Sequence, residues 1–188
     1  MTTVWIVLGV VALLVIAVVV SYNRFVSQRN LVRSSWANID TELQRRYDLI
    51  PNLVETVKGY AAHEREVLDA VVQARAAAQA THGSPAEQAA AEGPLVGALR
   101  QLFAVAEAYP ALRASENFLQ LQQELAVTED RLQAARRFYN ANVQELNRRV
   151  QAFPSNLVAR QFRFTEEQYF EIETAVRDDV ARPPRIEF

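Results

Sequence analysis

A chain of 188 residues, 50% of them apolar, is long enough and greasy enough to bury a core without covalent staples. Twenty basic residues stand against 22 acidic ones, a net charge of -2, so there is no basic excess to attract nucleic acid, and none is expected as a partner. The absence of cysteine excludes disulfides, thiolate metal sites and a cysteine nucleophile.

The first element is VWIVLGVVALLVIAVVV, Val4–Val20, 17 residues without a charge. That is the short end of the length needed to cross a bilayer as a helix. Trp5 and Tyr22 flank it as interfacial aromatics do. A cleaved secretory signal would need basic residues ahead of the run and a small-x-small site after it. Met1-Thr2-Thr3 and Val18-Val19-Val20-Ser21 supply neither, so residues 1–21 read as an uncleaved anchor with residues 4–20 in membrane lipid. No arginine precedes the span, whereas Arg24, Arg29 and Arg33 follow it. This bias predicts a single pass with the amino terminus outside and the carboxy-terminal domain in the cytoplasm.

From Val10 to Ile50 there is neither glycine nor proline, and Phe25, Val32, Trp36, Ile39, Leu43, Tyr47 and Ile50 recur at helical spacing. The anchor is therefore expected to continue into the first soluble helix as a rod roughly 65 Å long between Val4 and Tyr47. The stretch RRYDLIPNL then reads as a helix junction. Arg45 and Arg46 suit the carbonyl end of one helix dipole. Asp48 caps the next helix, with Asn52 as a second cap, and Pro51 falls in its first turn. The second helix carries Leu53, Val57, Leu68, Val71 and Ala78 and dissolves near Thr81-His82-Gly83.

Ser84-Pro85-Ala86-Glu87 is a start signal with a capping serine, a first-turn proline and a glutamate three residues after the serine. Gly93-Pro94 predicts a kink or restart, and Tyr109-Pro110 ends the segment. The fourth stripe runs from Phe118 to Phe153 in a nearly heptad, coiled-coil-like spacing. Asn142 is its polar member, a residue of the kind that sets pairing register. Phe153-Pro154 closes it, and Thr165-x-x-Gln168 resembles a capping box for a small final element. No stretch alternates with a period of two. The fold class is all-α: an antiparallel four-helix bundle over residues 22–170, with a loosely held tail at 171–188. A hairpin of two long helices, kinked at Pro51 and Pro110, is the alternative.

Candidate chemistry is sparse. His63-Glu64 opens like a zinc-protease motif, but Val67 stands where the second histidine belongs. Neither histidine has a glutamate three residues before it, as bundle di-iron sites require, since Tyr60 precedes His63 and Gln79 precedes His82. No phosphate loop, nucleophile elbow or paired-carboxylate cleft emerges. The sequence predicts no catalytic residue, no metal and no cofactor.

The blocks RRYDLIPNLVETVKGYAAHE, AVAEAYPALRASENFLQLQQELAVTEDRL and AARRFYNANVQELNRRVQAFPSNLVA, in this order and followed by QYF and a terminal PPRIEF, resemble the LemA family of bacterial membrane proteins. The resemblance implies an amino-terminal anchor in the bacterial inner membrane, a small external terminus and a four-helix bundle, and it supplies no enzymatic activity, since the family's biochemical role is not established. It supplies no catalytic residues to carry over, and it implies other membrane proteins as neighbours.

Two functions are compatible with these readings. One is a membrane-tethered scaffold that forms a homo-oligomer, with Phe162, Phe164, Tyr169 and Phe170 as interface aromatics. Gly9-x-x-x-Leu13 is no small-x-x-x-small motif, so the anchor alone is not expected to drive assembly. The other is an accessory subunit or adaptor of a membrane enzyme such as a protease.

Overall fold

In the computed structural model the described residues are 1–172. They form six helices: α1 (Thr2–Tyr60), α2 (Arg65–Ala80), α3 (Pro85–Glu107), α4 (Pro110–Arg113), α5 (Glu116–Gln151) and α6 (Ser155–Phe162). No strand occurs among them. The all-α expectation therefore holds. Residues 173–188, which make up nearly all of the expected tail, lie outside the described residues.

The break foreseen at Asp48–Pro51 does not occur. α1 runs unbroken from Thr2 through Pro51 to Tyr60, 59 residues or roughly 90 Å of helix. A proline inside a helix deprives the carbonyl four residues earlier of its amide donor. Here that carbonyl belongs to Tyr47, and the Arg75 side chain supplies the missing donor, Nε lying 2.6 Å from the Tyr47 oxygen. The Pro51 ring itself faces solvent. The chain turns later, at Ala61–Glu64, just beyond Gly59, whose conformational freedom weakens the helix end.

The capping box at Ser84 forms as its spacing predicts, the Glu87 carboxylate accepting from the Ser84 amide at 2.6 Å and the Ser84 hydroxyl accepting from the Glu87 amide at 3.3 Å. The restart expected at Gly93-Pro94 is absent, and Pro94 lies inside α3. Ala90, whose carbonyl loses its donor there, is exposed, so water can serve it. Nor does a helix begin at Thr165. The Asn147 carboxamide donates to the Glu167 carbonyl and accepts from the Glu167 amide, both at 2.9 Å. That backbone is thus held against α5 without a helix of its own.

The described residues divide into two compact units. One comprises Met1–Ile39 and Ala135–Tyr169. Its apolar segment, Val4–Val20, is exposed throughout. Its core is built by Phe25, Val32, Val143, Leu146, Ala159 and Phe164. Trp36 meets Tyr139 with ring centroids 5.4 Å apart, while Gln28 donates to the Asn142 carbonyl at 3.1 Å. Numbers fall along α1 as they rise along α5, so these two stretches are antiparallel. The other unit comprises Asp40–Ala134 and, of the described residues, 170–172. Leu43, Ile50, Leu53, Leu95, Leu102 and Leu132 are among its buried side chains, and α2 packs along α3.

Candidate functional site

The second unit has a charged interior. Arg46 is 2% exposed and Glu92 is 0% exposed, both among residues otherwise occupied by leucine and isoleucine. The Arg46 guanidinium donates through Nη2 to Glu92 Oε2 and through Nη1 to Glu129 Oε2 at 3.2 Å. The other Glu92 oxygen accepts from the Tyr47 hydroxyl and from Gln88 Nε2, the latter at 2.9 Å. Gln88 Nε2 also lies 3.1 Å from the Tyr47 hydroxyl and 3.2 Å from the Ala78 carbonyl. α1, α3 and α5 each contribute to this centre, and α2 is tied to it through Arg75 and Ala78.

Burial is tolerable here because the charges are paired and their remaining lone pairs and protons are largely used. Burial, then the hydrogen bond to Glu92, pushes the Tyr47 hydroxyl well above the ordinary range, so it is a neutral donor at all physiological pH. The guanidinium is occupied by two carboxylates and the phenol is spent on one of them. Such a centre cross-braces helices; it offers no free base or nucleophile to a substrate. Among the described residues no group of three or more His, Asp or Glu is placed to hold a metal ion.

Beside the centre runs a groove of about 430 Å³ between α3 and α5. Val96, Leu99, Phe103, Leu125 and Ala126 form its apolar lining, and Arg46, Arg100, Gln122 and Glu129 add polar groups. Its apolar lining has the chemistry to receive an apolar side chain or helix face.

The residues singled out from sequence scatter. Arg46 enters the buried centre; its neighbour Arg45 is exposed and reaches Glu42 at 3.9 Å. Asp48 caps nothing and instead accepts from Gln44 Nε2 at 2.8 Å on the surface. Asn52 is exposed inside α1, where its carbonyl accepts from the Thr56 hydroxyl at 2.8 Å. Tyr109 stands at the start of α4, with Pro110 as the first helical residue, and its hydroxyl donates to Glu64 at 3.1 Å. Glu64 precedes α2, so one bond ties two helix starts; it also raises the Tyr109 hydroxyl above its ordinary value. Asn142 is buried on α5 with its Nδ2 lacking a hydrogen-bond partner among the described residues. Pro154, joined to Phe153 by a cis peptide bond, directly precedes α6.

Of the four aromatics, Phe164 is buried and stacked on Phe25 at 4.8 Å, and Phe162 sets its ring edgewise on Tyr22 at 4.8 Å. Tyr169 is exposed and Phe170 fully buried. Glu92, Gln88, Glu129 and Arg75 were not foreseen. For two of them a signal existed: Gln88, Glu92, Leu95, Leu99, Leu102 and Ala106 are spaced by four, three, four, three and four, which puts both polar residues on the inward stripe.

These features define a class: an all-helical protein headed by one long apolar helix, consistent with membrane anchoring, whose polar interior braces the fold. The family model of the LemA family matches residues 35–188, and the chain belongs to that family. The chain is 26% identical to Magnetosome protein MamQ 2 of Paramagnetospirillum magneticum, covering 94% of this chain and 74% of that relative. It is 27% identical to Protein LemA of Metamycoplasma hominis, covering 84% and 72%. Magnetosome protein MamQ of Magnetospirillum gryphiswaldense matches at 24% identity over 79% of this chain and 64% of the relative.

Proposed function

We propose that this protein is a single-pass inner-membrane scaffold, amino terminus outside, whose helices assemble as an antiparallel four-helix bundle in the cytoplasm and act by self-association. One observation carries the reading. The apolar run Val4–Val20 at the start of α1 is exposed throughout, yet the helix it begins continues unbroken into the packed residues up to Tyr60. A helix of that kind couples whatever holds its apolar end directly to the folded part, which a flexible tether would not do. The interior charges are spent on bracing, which favours a structural role over a reaction centre. Tethering in two dimensions also raises local concentration, so weak contacts between copies suffice for assembly. Crosslinking in native membranes, followed by mass measurement in mild detergent, tests this. Discrete multiples of one chain are expected, and a strictly monomeric protein at native density overturns the reading.

The groove between α3 and α5 favours a second reading, an adaptor that presents its apolar lining to another membrane protein. Affinity capture of the full-length chain then recovers one stoichiometric foreign protein, and Phe103→Ala releases it. Capture of the chain alone favours the scaffold.

A further inference from the structure

Resting on the membrane-anchored reading, we propose that α6 and its flanks form a collar that seats on the anionic headgroup surface of the bilayer around the anchor. Position comes first. Tyr22 lies two residues beyond Val20, a rise of about 3 Å along α1. The headgroup layer adds roughly 5–8 Å beyond the hydrocarbon on each side. Tyr22 is therefore at headgroup depth, and the Phe162 and Phe164 rings rest on it, at 4.8 Å and 5.7 Å. Phe164 is clamped from behind by Phe25 and by the Arg29 guanidinium, 5.2 Å above its ring. The end of α6 is thus held to α1 where the chain leaves lipid.

The collar also has the chemistry of an interfacial surface. Ala159 faces inward, while Phe153, Leu157 and Phe162 are 80%, 57% and 46% exposed. Large apolar side chains at such exposure are costly in water and favourable at the boundary between headgroups and acyl chains. Arg24, Arg160 and Arg163 are exposed close by and make no ion pair among the described residues. Of the neighbouring carboxylates, Glu145 is engaged by Arg148 and Arg149, Glu166 accepts from Gln151, and the Glu167 charge acts on the Tyr139 hydroxyl. The arginines remain for lipid phosphates, which basic side chains beside a spanning helix attract within a Debye length. A short helix with buried alanine, outward leucine and adjacent arginines is suited to lie in the interface plane. Continuity with the anchor favours lipid over a second copy of the chain as its cover.

The chain lacks cysteine, so single labels can be placed at will. The full-length protein would be set in nanodiscs of phosphatidylcholine alone or with phosphatidylglycerol. A nitroxide at Leu157→Cys reports the collar, and one at Leu13→Cys reports the anchor. In the anionic discs the label at 157 is expected to lose access to a water-soluble relaxation agent and gain access to oxygen. Arg160→Glu with Arg163→Glu abolishes this shift. If the label at 157 is water-exposed in both discs while that at 13 is in lipid, the collar is overturned and the anchor stands. If the label at 13 is in water, both fall. Equal immersion in both lipids and in the charge-reversed variant overturns the phosphate pairing. Spin–spin broadening at 157 replaces lipid with a second copy and overturns the proposal.

Discussion

Arg46 and Glu92 are buried on inward stripes that are otherwise mostly apolar, and their energetics are those of a buried pair: modest gain while intact, large loss when one partner goes. Glu92→Ala strands a guanidinium with only a half-exposed Glu129 left to it. We expect it to destabilise the fold by about 3–5 kcal/mol, read as thermal unfolding in detergent. Arg46→Met combined with Glu92→Leu removes both charges and should cost much less than the single change; an equal or larger loss would show that the pair contributes net stability. Tyr139 gives a pH prediction. Burial, then the Glu167 charge, pushes its hydroxyl up to about 12. The unfolded phenol titrates near 10, so the native state holds the proton more tightly. Stability from this group is therefore complete at neutral pH and is lost as the pH climbs from 10 towards 12. Tyr47 shifts in the same direction, so Tyr139→Phe should shallow the alkaline loss without abolishing it. It should also cost about 1 kcal/mol at neutral pH, through the lost bond to the Gln168 carbonyl at 2.8 Å. An unchanged alkaline profile in Tyr139→Phe would refute the assignment.

At the scale of elements, the length of α1 depends on a repair made from another helix. Pro51 removes the donor for the Tyr47 carbonyl, and Arg75 on α2 restores one. The two positions should therefore be energetically coupled. Arg75→Met is expected to cost about 1–3 kcal/mol with Pro51 present, because it leaves a part-buried acceptor unmet. In a Pro51→Ala background, where the helix supplies its own amide, the same change should cost far less. A double-mutant cycle by chemical denaturation reads the difference, and strict additivity would mean that Arg75 repairs nothing. The reading of Pro51 as a junction failed for this reason: a lone proline signals a broken helix unless a donor arrives from elsewhere, and no local pattern reveals that. The capping box at Ser84 was legible because both its bonds close within four residues. Ser84→Ala should cost about 1 kcal/mol.

For the whole molecule, the apolar start of α1 is an appendage with respect to folding. Val4–Val20 bury no surface in the protein. A chain lacking residues 2–20 should therefore unfold within about 0.5 kcal/mol of the full-length protein, the range expected when no buried contact changes. It should also lose its need for detergent. A large drop in its unfolding midpoint would show that these residues support the fold. The division into two compact units was not anticipated from sequence, because each is assembled from segments far apart in the chain. Apolar stripes along α1 and α5 pass without interruption from one unit to the next, so periodicity carries no mark of the boundary.

The sequence by itself determined that this is a helical protein with a lipid-compatible start. Both follow from local spacing and composition, and a helix satisfies its own backbone wherever it lies. It also carried, unread, the inward register of Arg46 and Glu92, since the stripe Ile39, Leu43, Arg46, Ile50, Leu53, Val57 has the same alternation of fours and threes. Only the tertiary structure decided that α1 survives Pro51, that two opposite charges meet in the interior, and that Asn147 holds the backbone at Glu167. Each of these depends on a partner between 20 and 46 residues away along the chain. No local pattern encodes which distant donor will meet which acceptor; packing alone brings them within bonding distance.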